Sequence, residues 1–355
     1  MVSASAFSRA QLSDVYRRAR SRDLRRDDKI VIFSDLHMGG GGRRDDFAGN
    51  AELFRTVLAQ YYLPGGWELL LNGDVEELQR YRANDIRRQW AHIYELFDQF
   101  QTSTGLTRLV GNHDLRLLSD ARTRRQIGAS ADNVEEGIRL AAPSGEVLIL
   151  HGHQTARRYA HFNEIVHVLL RYIAHPLGIK NFSVAASSRK RFKVESHIYD
   201  FAIDRGLIAV IGHTHRPLFQ SMSKSDSIRF EIEQLCRRFP AAPDKAAIRE
   251  RTARLKAELA AGVDRGDPAS TLYHRQHMVP SLFNAGCVLG KRGMTCIELT
   301  DYELRLVYWY DHRRSQKYLQ YSPDAGWNLD RTPYHRIVVR SENLDYIFAR
   351  VRLLA

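Results

Sequence analysis

The chain has 355 residues, of which 44% are hydrophobic and 26% are charged, and this composition is typical of a soluble globular protein. Its formal net charge of +12 suits phosphate-bearing partners such as nucleotides, nucleic acid or an anionic membrane surface, although basic residues dispersed over a solvated surface would produce the same value. Three cysteines without metal spacing, a polar N-terminus and no long apolar run argue against a disulfide framework, a secretory signal and a membrane span. We therefore predict a cytoplasmic protein and leave peripheral contact with a membrane open.

Residues 7 to 20 carry a short helical pattern in which a few apolar side chains, among them Phe7, Leu12 and Tyr16, lie between many arginines. The apolar face is small, which favours a helix packed on the edge of a domain over one that rests on a membrane surface. We predict a basic N-terminal helical extension over residues 1–28, with a membrane-surface foot as the alternative.

Five short apolar runs predict buried strands, and a cluster of polar residues follows each of them. The clusters are Asp35-Leu36-His37, Gly73-Asp74, Gly111-Asn112-His113-Asp114, His151-Gly152-His153 and Gly212-His213-Thr214-His215. Helical patterns separate the first three runs, and this β-α-β-α-β order predicts helices that cover a mostly parallel sheet. Because open α/β sheets bind ligands at the carboxyl ends of their strands, we expect the five clusters to form one site.

One large domain is predicted over residues 29–330, with two insertions and a tail. An amphipathic stripe from Phe162 to Ile173 predicts a helical insertion over 154–203, and its place between two polar clusters favours a lid. A second insertion over 223–278 is charged and predicted to be helical, and its pattern indicates no particular role. Strands resume near 281–284, 295–299 and 303–310, and the tail over 331–355 is predicted to end in a helix that starts near Ser341.

Seven polar residues at the strand ends form a candidate set of metal ligands: Asp35, His37, Asp74, Asn112, His151, His213 and His215. Imidazole nitrogens with carboxylate and amide oxygens are donors that manganese, iron or zinc accept, and the lack of thiolates argues against a structural zinc site. The set is too large for one ion and suits two ions about 3.5 to 4 Å apart. We predict two divalent transition-metal ions, with Mn²⁺ favoured and iron or zinc as alternatives. A supporting role is favoured for His153, because its neighbour already fits the ligand role.

Two adjacent divalent ions suit the hydrolysis of a phosphoester. They neutralise the phosphate oxygens, and a water that bridges them loses a proton near neutral pH and attacks phosphorus. The leaving oxygen then needs a proton, for which His113 is the candidate. Asp114 either holds the His113 ring in the required tautomer or pairs with another base. His113 and Asp114 are therefore the predicted catalytic residues.

Five motifs, in this order, resemble those of the calcineurin-like metallophosphoesterases: Asp35-x-His37, Gly73-Asp74-x-x-Glu77, Gly111-Asn112-His113-Asp114, His151-Gly152 and Gly212-His213-x-His215. The resemblance covers roughly residues 31–217 and the strands near 281–310, and it implies a four-layer α/β/β/α sandwich with the ions between its two sheets. It further implies that one ion is held by Asp35, His37 and His215, the other by Asn112, His151 and His213, and that Asp74 bridges them. Glu77 departs from the pattern, in which Asp is common.

Within that superfamily, the stretches 34–39 and 212–217 are most similar to bacterial UDP-2,3-diacylglucosamine pyrophosphatase-like proteins, which also carry a helical lid. Those proteins typically have Arg at the position of His113 and Asp at the position of His153, and they lack the insertion over 223–278. A lipid-precursor pyrophosphatase is therefore an alternative to the general prediction, which is a hydrolase of a phosphomonoester, phosphodiester or pyrophosphate bond.

The predicted partner is a phosphorylated small molecule or a lipid precursor, and the candidate residues for binding it are Arg157, Arg158, Arg80 and Arg116. A serine/threonine protein phosphatase is a second version of the same chemistry. A nuclease is disfavoured because aromatic and basic residues do not interleave along one track. A non-catalytic metal-binding scaffold is the alternative of another class, and it is disfavoured because no ligand position is degenerate.

Overall fold

The structure is a computed structural model, and it describes residues 4–42, 44–128, 134–156, 187–222, 224–260, 279–314 and 326–355. The described strands are β1 (Arg20–Asp23), β2 (Lys29–Phe33), β3 (Glu68–Asn72), β4 (Leu106–Leu109), β5 (Val134–Glu135), β6 (Gly137–Ala142), β7 (Gly145–Leu150), β8 (Ile208–Ile211), β9 (Leu282–Asn284), β10 (Gly293–Thr300), β11 (Glu303–Asp311), β12 (Gly326–Asn328) and β13 (Tyr334–Asn343). The described α-helices are α1 (Ala4–Arg18), α2 (Ala51–Val57), α3 (Ala83–Gln89), α4 (Ala91–Thr102), α5 (Arg116–Ser119), α6 (Ala121–Ile127), α7 (Ser188–Arg205), α8 (Lys224–Arg238), α9 (Lys245–Ala260) and α10 (Leu344–Leu354).

The strands form two mixed sheets. The larger sheet has the order β12-β13-β11-β10-β2-β3-β4-β5, and its β2, β3, β4 and β5 run parallel, as the apolar runs predict. The smaller sheet has the order β1-β6-β7-β8-β9, in which β7, β8 and β9 are parallel. The carboxyl ends of β2, β3, β4, β7 and β8 deliver the five polar clusters, so both sheets contribute to one site.

Side chains alternate across β2, because successive residues of a strand point to opposite faces. Ile30 and Ile32 pack in a core shared with the smaller sheet, whereas Val31 and Phe33 pack in a second core with α2 and α4. On the other side, α1 and α7 pack against strands of the smaller sheet. The predicted four-layer α/β/β/α sandwich is therefore confirmed.

The N-terminal segment adds a strand to the smaller sheet and a helix that packs against it. Leu12 and Val15 of α1 are buried, and β1 pairs in parallel with β6 at the edge of the sheet. The apolar face that the sequence indicated is thus covered by protein, as expected for a helix at the domain edge. The boundary near residue 28 stays a prediction.

The predicted lid is described only at its ends. Residues 157–186 lie outside the described residues, and residues 188–203 belong to α7, whose Val194, Ile198 and Ala202 are buried against the smaller sheet. The C-terminal part of the predicted insertion therefore belongs to an outer layer of the sandwich. This part carries the apolar spacing of a core helix, which chain pattern alone does not distinguish from a lid.

The second insertion forms two helices, α8 and α9, over residues 224–260, while residues 261–278 lie outside the described part of the chain. Glu231 of α8 lies 2.7 Å from Arg251 of α9 and 2.9 Å from Arg340 of β13. The helical character predicted for this segment is confirmed over that range, and its bounds stay a prediction.

The predicted C-terminal helix is confirmed as α10, and Asn343 caps it by accepting a hydrogen bond from the Asp345 N–H at 2.8 Å. Before it, β13 pairs with β11 along its whole length and extends the larger sheet. The sequence analysis did not predict this strand. Among the described residues, no helix combines the length and the apolar composition that crossing a bilayer requires.

Candidate metal centre

The predicted ligands converge where strands of both sheets end. Asp35 and His37 follow β2, Asp74 follows β3, and Asn112 follows β4. The smaller sheet supplies His151 after β7, with His213 and His215 after β8. All are buried except His215, whose side chain is 22% exposed. A pair of packed sheets with parallel strands thus holds donor groups from distant segments in one place.

Three overlapping groups of side chains have ligand atoms within 4.8 Å of one another: Asp35, His37 and His215; Asp74, His151 and His213; and His37, Asp74 and His113. The first group has the residues that the family resemblance implies for one ion, and the second has His151 and His213 of the other set together with Asp74. They adjoin through His151, whose Nε2 lies 3.2 Å from Asp74 Oδ2 and 3.9 Å from Asp35 Oδ1.

One oxygen of each carboxylate accepts hydrogen bonds from protein donors, and the other oxygen faces the imidazoles. Asp35 Oδ2 accepts hydrogen bonds from Ser34 Oγ at 2.6 Å and from the His213 N–H at 2.9 Å, while Oδ1 lies 3.0 Å from His215 Nε2. Asp74 Oδ1 accepts from the His113 N–H at 2.8 Å, and its Oδ2 faces His151. The inward oxygens are therefore held in fixed positions.

His151 is oriented in the same way. Its Nδ1 donates to the Asn72 carbonyl oxygen at 2.8 Å, which leaves Nε2 facing Asp74 as the atom available to a metal ion. A backbone carbonyl that fixes the tautomer of a histidine is a recurring support for metal ligation.

The backbone is strained at the ligands. Ten non-glycine residues in the described part of the chain have positive φ, and five are predicted ligands: Asp35, His37, Asp74, His213 and His215, with φ between 49° and 63°. Such conformations disfavour residues with a side chain and cluster at functional sites, where surrounding structure enforces them.

Two glycines of the motifs allow close approach to the carboxylates. A Cβ atom on Gly111 would lie 2.1 Å from Asp74 Oδ1, and one on Gly212 would lie 1.9 Å from Ser34 Oγ and 2.6 Å from Asp35 Oδ2. Any larger residue at these positions would displace the groups that orient the ligands.

Glu77 joins two histidines of the site. Its Oε1 lies 2.8 Å from His113 Nδ1, and its Oε2 lies 3.2 Å from His37 Nδ1. Of the two roles predicted for Asp114, the first, holding the His113 ring, is wrong, since its two oxygens accept from the Gly111 N–H at 2.6 Å and the Val75 N–H at 2.7 Å. The tautomer-fixing role belongs to Glu77 because its longer side chain reaches both rings from the loop after β3.

Burial disfavours the charged form of each titratable group in the centre. At several of these groups, the neighbouring charges have the larger effect on the pKa. At His113, burial lowers the pKa, but the carboxylates of Glu77 and Asp74 raise it more, to about 9. At Asp35, burial raises the pKa, but adjacent imidazoles, chiefly that of His215, lower it to about 2. The carboxylates are therefore ionised and surrounded by nitrogen donors.

His153 lies apart from these pairs, with its ring centroid 5.6 Å from that of His151. Burial, followed by repulsion from His151, lowers the pKa of His153 to about 3, which leaves its ring neutral. This environment suits the supporting role predicted for it.

The residues present fit a pair of divalent ions. Asn112 Oδ1 is buried and has no hydrogen-bond partner among the described residues, which is costly unless an ion satisfies it. The donors around it are imidazole nitrogens and carboxylate oxygens, and none of the grouped ligands is a thiolate. This donor set suits manganese, iron or zinc and does not distinguish between them.

Residues 28–217, more than half of the chain, match the family model described as calcineurin-like phosphoesterase. The chain belongs to the calcineurin-like phosphoesterase family. It is accordingly a metal-dependent phosphoester hydrolase. No curated protein matched its sequence. One solved structure with similarity is a dimetal phosphatase from Danio rerio, which is 10% identical with a TM-score of 0.36, over 79% of this chain and 96% of that one. That activity describes the fish protein only.

Of the arginines predicted to bind substrate in this calcineurin-like phosphoesterase, Arg157 and Arg158 lie outside the described residues. Arg80 Nη1 lies 3.6 Å from Asp46 Oδ2, and Arg116 Nη2 lies 3.0 Å from Asp120 Oδ2. Both side chains are partly exposed, and they lie on the segments that follow β3 and β4. Their roles in binding substrate stay predictions.

Sequence reasoning missed a buried network that holds the last ligand loop of this phosphoesterase. Thr214 Oγ1 donates to Glu195 of α7 at 2.7 Å and accepts from Asn284 Nδ2 at 2.8 Å, and Asn284 Nδ2 also donates to the Gly212 carbonyl at 3.0 Å. Glu195 also pairs with Arg216. A Glu inside the apolar spacing of α7 was the only available signal.

Proposed function

We propose that the chain hydrolyses a phosphoester bond at a centre of two divalent ions. Asp35, His37 and His215 would hold one ion, Asn112, His151 and His213 would hold the other, and Asp74 would be shared. The observation that carries this proposal is the convergence of ligand atoms within 4.8 Å of one another in two adjoining groups. When bound, such ions supply charge neutralisation at the phosphoryl oxygens and an activated water.

The chain's own contribution to bond cleavage is proposed to come from His113. Glu77 holds its Nδ1 at 2.8 Å, and its Nε2 lies 4.0 Å from Asp74 Oδ2. The side chain is 14% exposed, whereas the ligands His37 and His151 are more deeply buried, so His113 can reach a bound substrate. With Nδ1 committed to Glu77, Nε2 is positioned to donate a proton to the leaving oxygen.

The substrate is proposed to be a phosphorylated small molecule. Similarity in two motifs supports a lipid-precursor pyrophosphatase as the narrower version of this proposal. A preference for a substrate carried in liposomes over soluble nucleotides would favour that version.

The test compares His151→Ala with His312→Ala after loading with Mn²⁺, Fe²⁺ or Zn²⁺. His312 is a partly buried histidine whose Nδ1 bonds to the Pro333 carbonyl at 2.9 Å, outside the proposed site. Hydrolysis of p-nitrophenyl phosphate and bis-p-nitrophenyl phosphate is measured beside bound metal per chain. His151→Ala is expected to lose activity and bound metal, and His312→Ala to keep both. Wild-type protein that is inactive with every metal would refute the proposal, and bound metal without activity would favour the metal-binding scaffold.

A further inference from the structure

A polar groove of about 500 Å³ lies between α3, α5 and α6. Leu78, which follows Glu77, and Arg116, two residues beyond Asp114, are among the residues that line it. Two residues of chain span at most about 7 Å, so the groove lies beside the segments that carry Glu77 and Asp114. Its volume is in the range that holds a small molecule of nucleotide size rather than one phosphate ion.

Guanidinium groups dominate the charge of this groove. Four arginines line it, and they come from three separate helical segments: Arg82, Arg88, Arg116 and Arg122. The acidic lining residues are Asp85 and Asp120. Positive charges that the fold gathers from separate elements repel one another, and this cost is removed when an anion binds among them.

The two acids do not neutralise the groove. Asp120 is committed to capping α6, since it accepts from the Arg122 N–H at 2.9 Å and the Thr123 N–H at 3.2 Å. It also accepts from Arg116 Nη2 at 3.0 Å, which fixes the direction of that guanidinium group. Asp85 lies 4.0 Å from Arg88, at the limit of an ion pair. Asp120 therefore caps α6 and orients Arg116.

Arginine is the residue best suited to this kind of recognition, because its planar group donates several hydrogen bonds to phosphate oxygens in a fixed geometry. The remaining lining includes neutral polar residues such as Asn84, Thr123 and Gln126, while Leu78 and Ala83 are apolar. Such a surface suits an anionic, hydrophilic group and offers little to an acyl chain.

We propose that this groove binds a second phosphate group of the substrate, so that the protein prefers molecules that carry a phosphate besides the one it cleaves. The inference rests on the proposed function for the identity of the cleaved group. It assigns to Arg88, Arg116 and Arg122 a specificity role, separate from the metal ligands.

The experiment measures binding rather than turnover, so that its result does not depend on the hydrolytic activity. AMP, ADP and adenosine 3′,5′-bisphosphate are titrated calorimetrically into the Mn²⁺-loaded protein. ADP carries adjoining phosphates and the bisphosphate carries separated ones, so the two probes distinguish how far the groove lies from the cleaved group. We expect at least one of them to bind about tenfold more tightly than AMP, since each exposed ion pair contributes up to about fivefold in affinity and several arginines line the groove.

The variant Arg88→Glu/Arg122→Glu reverses two charges of the groove, and Arg125→Glu is its control. Arg125 is an exposed residue of the same helix as Arg122 and does not line the groove. The preference over AMP is expected to fall to less than about threefold in the double variant and to persist in Arg125→Glu. Arg122→Gln, a milder change at an exposed position, is expected to give an intermediate preference if the double variant does not fold.

Equal ratios of dissociation constants in wild type, the groove variants and Arg125→Glu would overturn the assignment, as would a wild type with no preference over AMP. Failure of the proposed function has a different signature, which is the absence of p-nitrophenyl ester hydrolysis by wild-type protein with every metal.

Discussion

Replacing His113 tests the proposed chemistry directly, because His113 is the partly exposed imidazole that Glu77 orients. If its Nε2 donates a proton to the leaving oxygen, His113→Ala should slow the hydrolysis of alkyl phosphoesters by about 10²- to 10⁴-fold. Esters of p-nitrophenol should be slowed far less, since that leaving group departs without a proton. The measurement is kcat for a series of esters whose leaving groups differ in acidity. A uniform loss across the series would instead indicate that His113 stabilises charge on the phosphoryl group.

Glu77 and Glu76 are adjacent buried carboxylates with different partners, and they form a matched pair. Glu77 contacts two imidazoles of the site, whereas Glu76 pairs with Arg108 and accepts from the Tyr94 hydroxyl at 2.8 Å. Replacing groups that orient metal ligands typically weakens metal binding about 10- to 100-fold. We expect this loss in Glu77→Gln, measured by titration with Mn²⁺. Glu76→Gln should lower the melting temperature but leave metal affinity unchanged, and equal affinities in both variants would contradict the role given to Glu77.

The contrast between Glu77 and Asp114 shows what spacing along the chain can and cannot predict at this scale. The position of each cluster after a strand predicted that Asp35 and His37 belong to one site, because a strand end can be read from a short segment. The partner of His113 depends on where the loop after β3 lies relative to the loop after β4. Sequence adjacency favoured Asp114, whereas the packed loops bring Glu77 to the ring.

At the scale of elements, the loop from Gly212 to His215 is held from outside by α7 and β9. Thr214 lies between two ligands and connects Glu195 with Asn284 through its hydroxyl. Thr214→Val removes this link and should destabilise the fold by about 1 to 3 kcal/mol, because polar groups stay buried without partners. We expect metal affinity to fall at the same time, since the positions of His213 and His215 depend on that loop.

Thr107→Val is the control for this prediction. Thr107 is also buried and donates from Oγ1 to a glutamate, Glu68, at 3.0 Å, but it lies in β4 away from the ligands. Both variants should lose stability in urea denaturation, and only Thr214→Val should bind Mn²⁺ more weakly. Equal metal affinities in the two variants would show that the link does not position the ligands.

The elements that the sequence predicted are those with continuous apolar runs or clear helical spacing. β2, β3, β4, β7 and β8 are buried over most of their length, and their apolar composition reveals them. β13 escaped prediction because only part of it is buried and polar residues interrupt its pattern. α7 fell within the predicted lid because that insertion was drawn as one segment over 154–203, and chain pattern does not reveal that residues 188–203 cover a surface built by strands from distant parts of the chain.

At the scale of the whole molecule, the two sheets meet at a centre that gathers two buried carboxylates among imidazoles. Asp35 and Asp74 are both buried and ionised, and Asp74 raises the pKa of Asp35 by repulsion, although the histidines outweigh it. Divalent ions that bind only the folded state stabilise it by about 2.7 kcal/mol at a free concentration one hundred times the dissociation constant. Removing them with a chelator should lower the melting temperature by about 4 °C, measured by calorimetry, with recovery after Mn²⁺ is added back.

Asp74→Asn separates this effect from general destabilisation. The variant loses a shared ligand and the repulsion together, so chelation should change its melting temperature by less than half as much as in wild type. Asp45→Asn is the control, because Asp45 is buried and accepts from the backbone N–H groups of Gly39 at 3.1 Å and Gly41 at 2.7 Å. It should melt at a lower temperature while keeping the full response to chelation. If the melting temperature of the wild type is the same with and without the chelator, metal binding is not coupled to the packing of the two sheets.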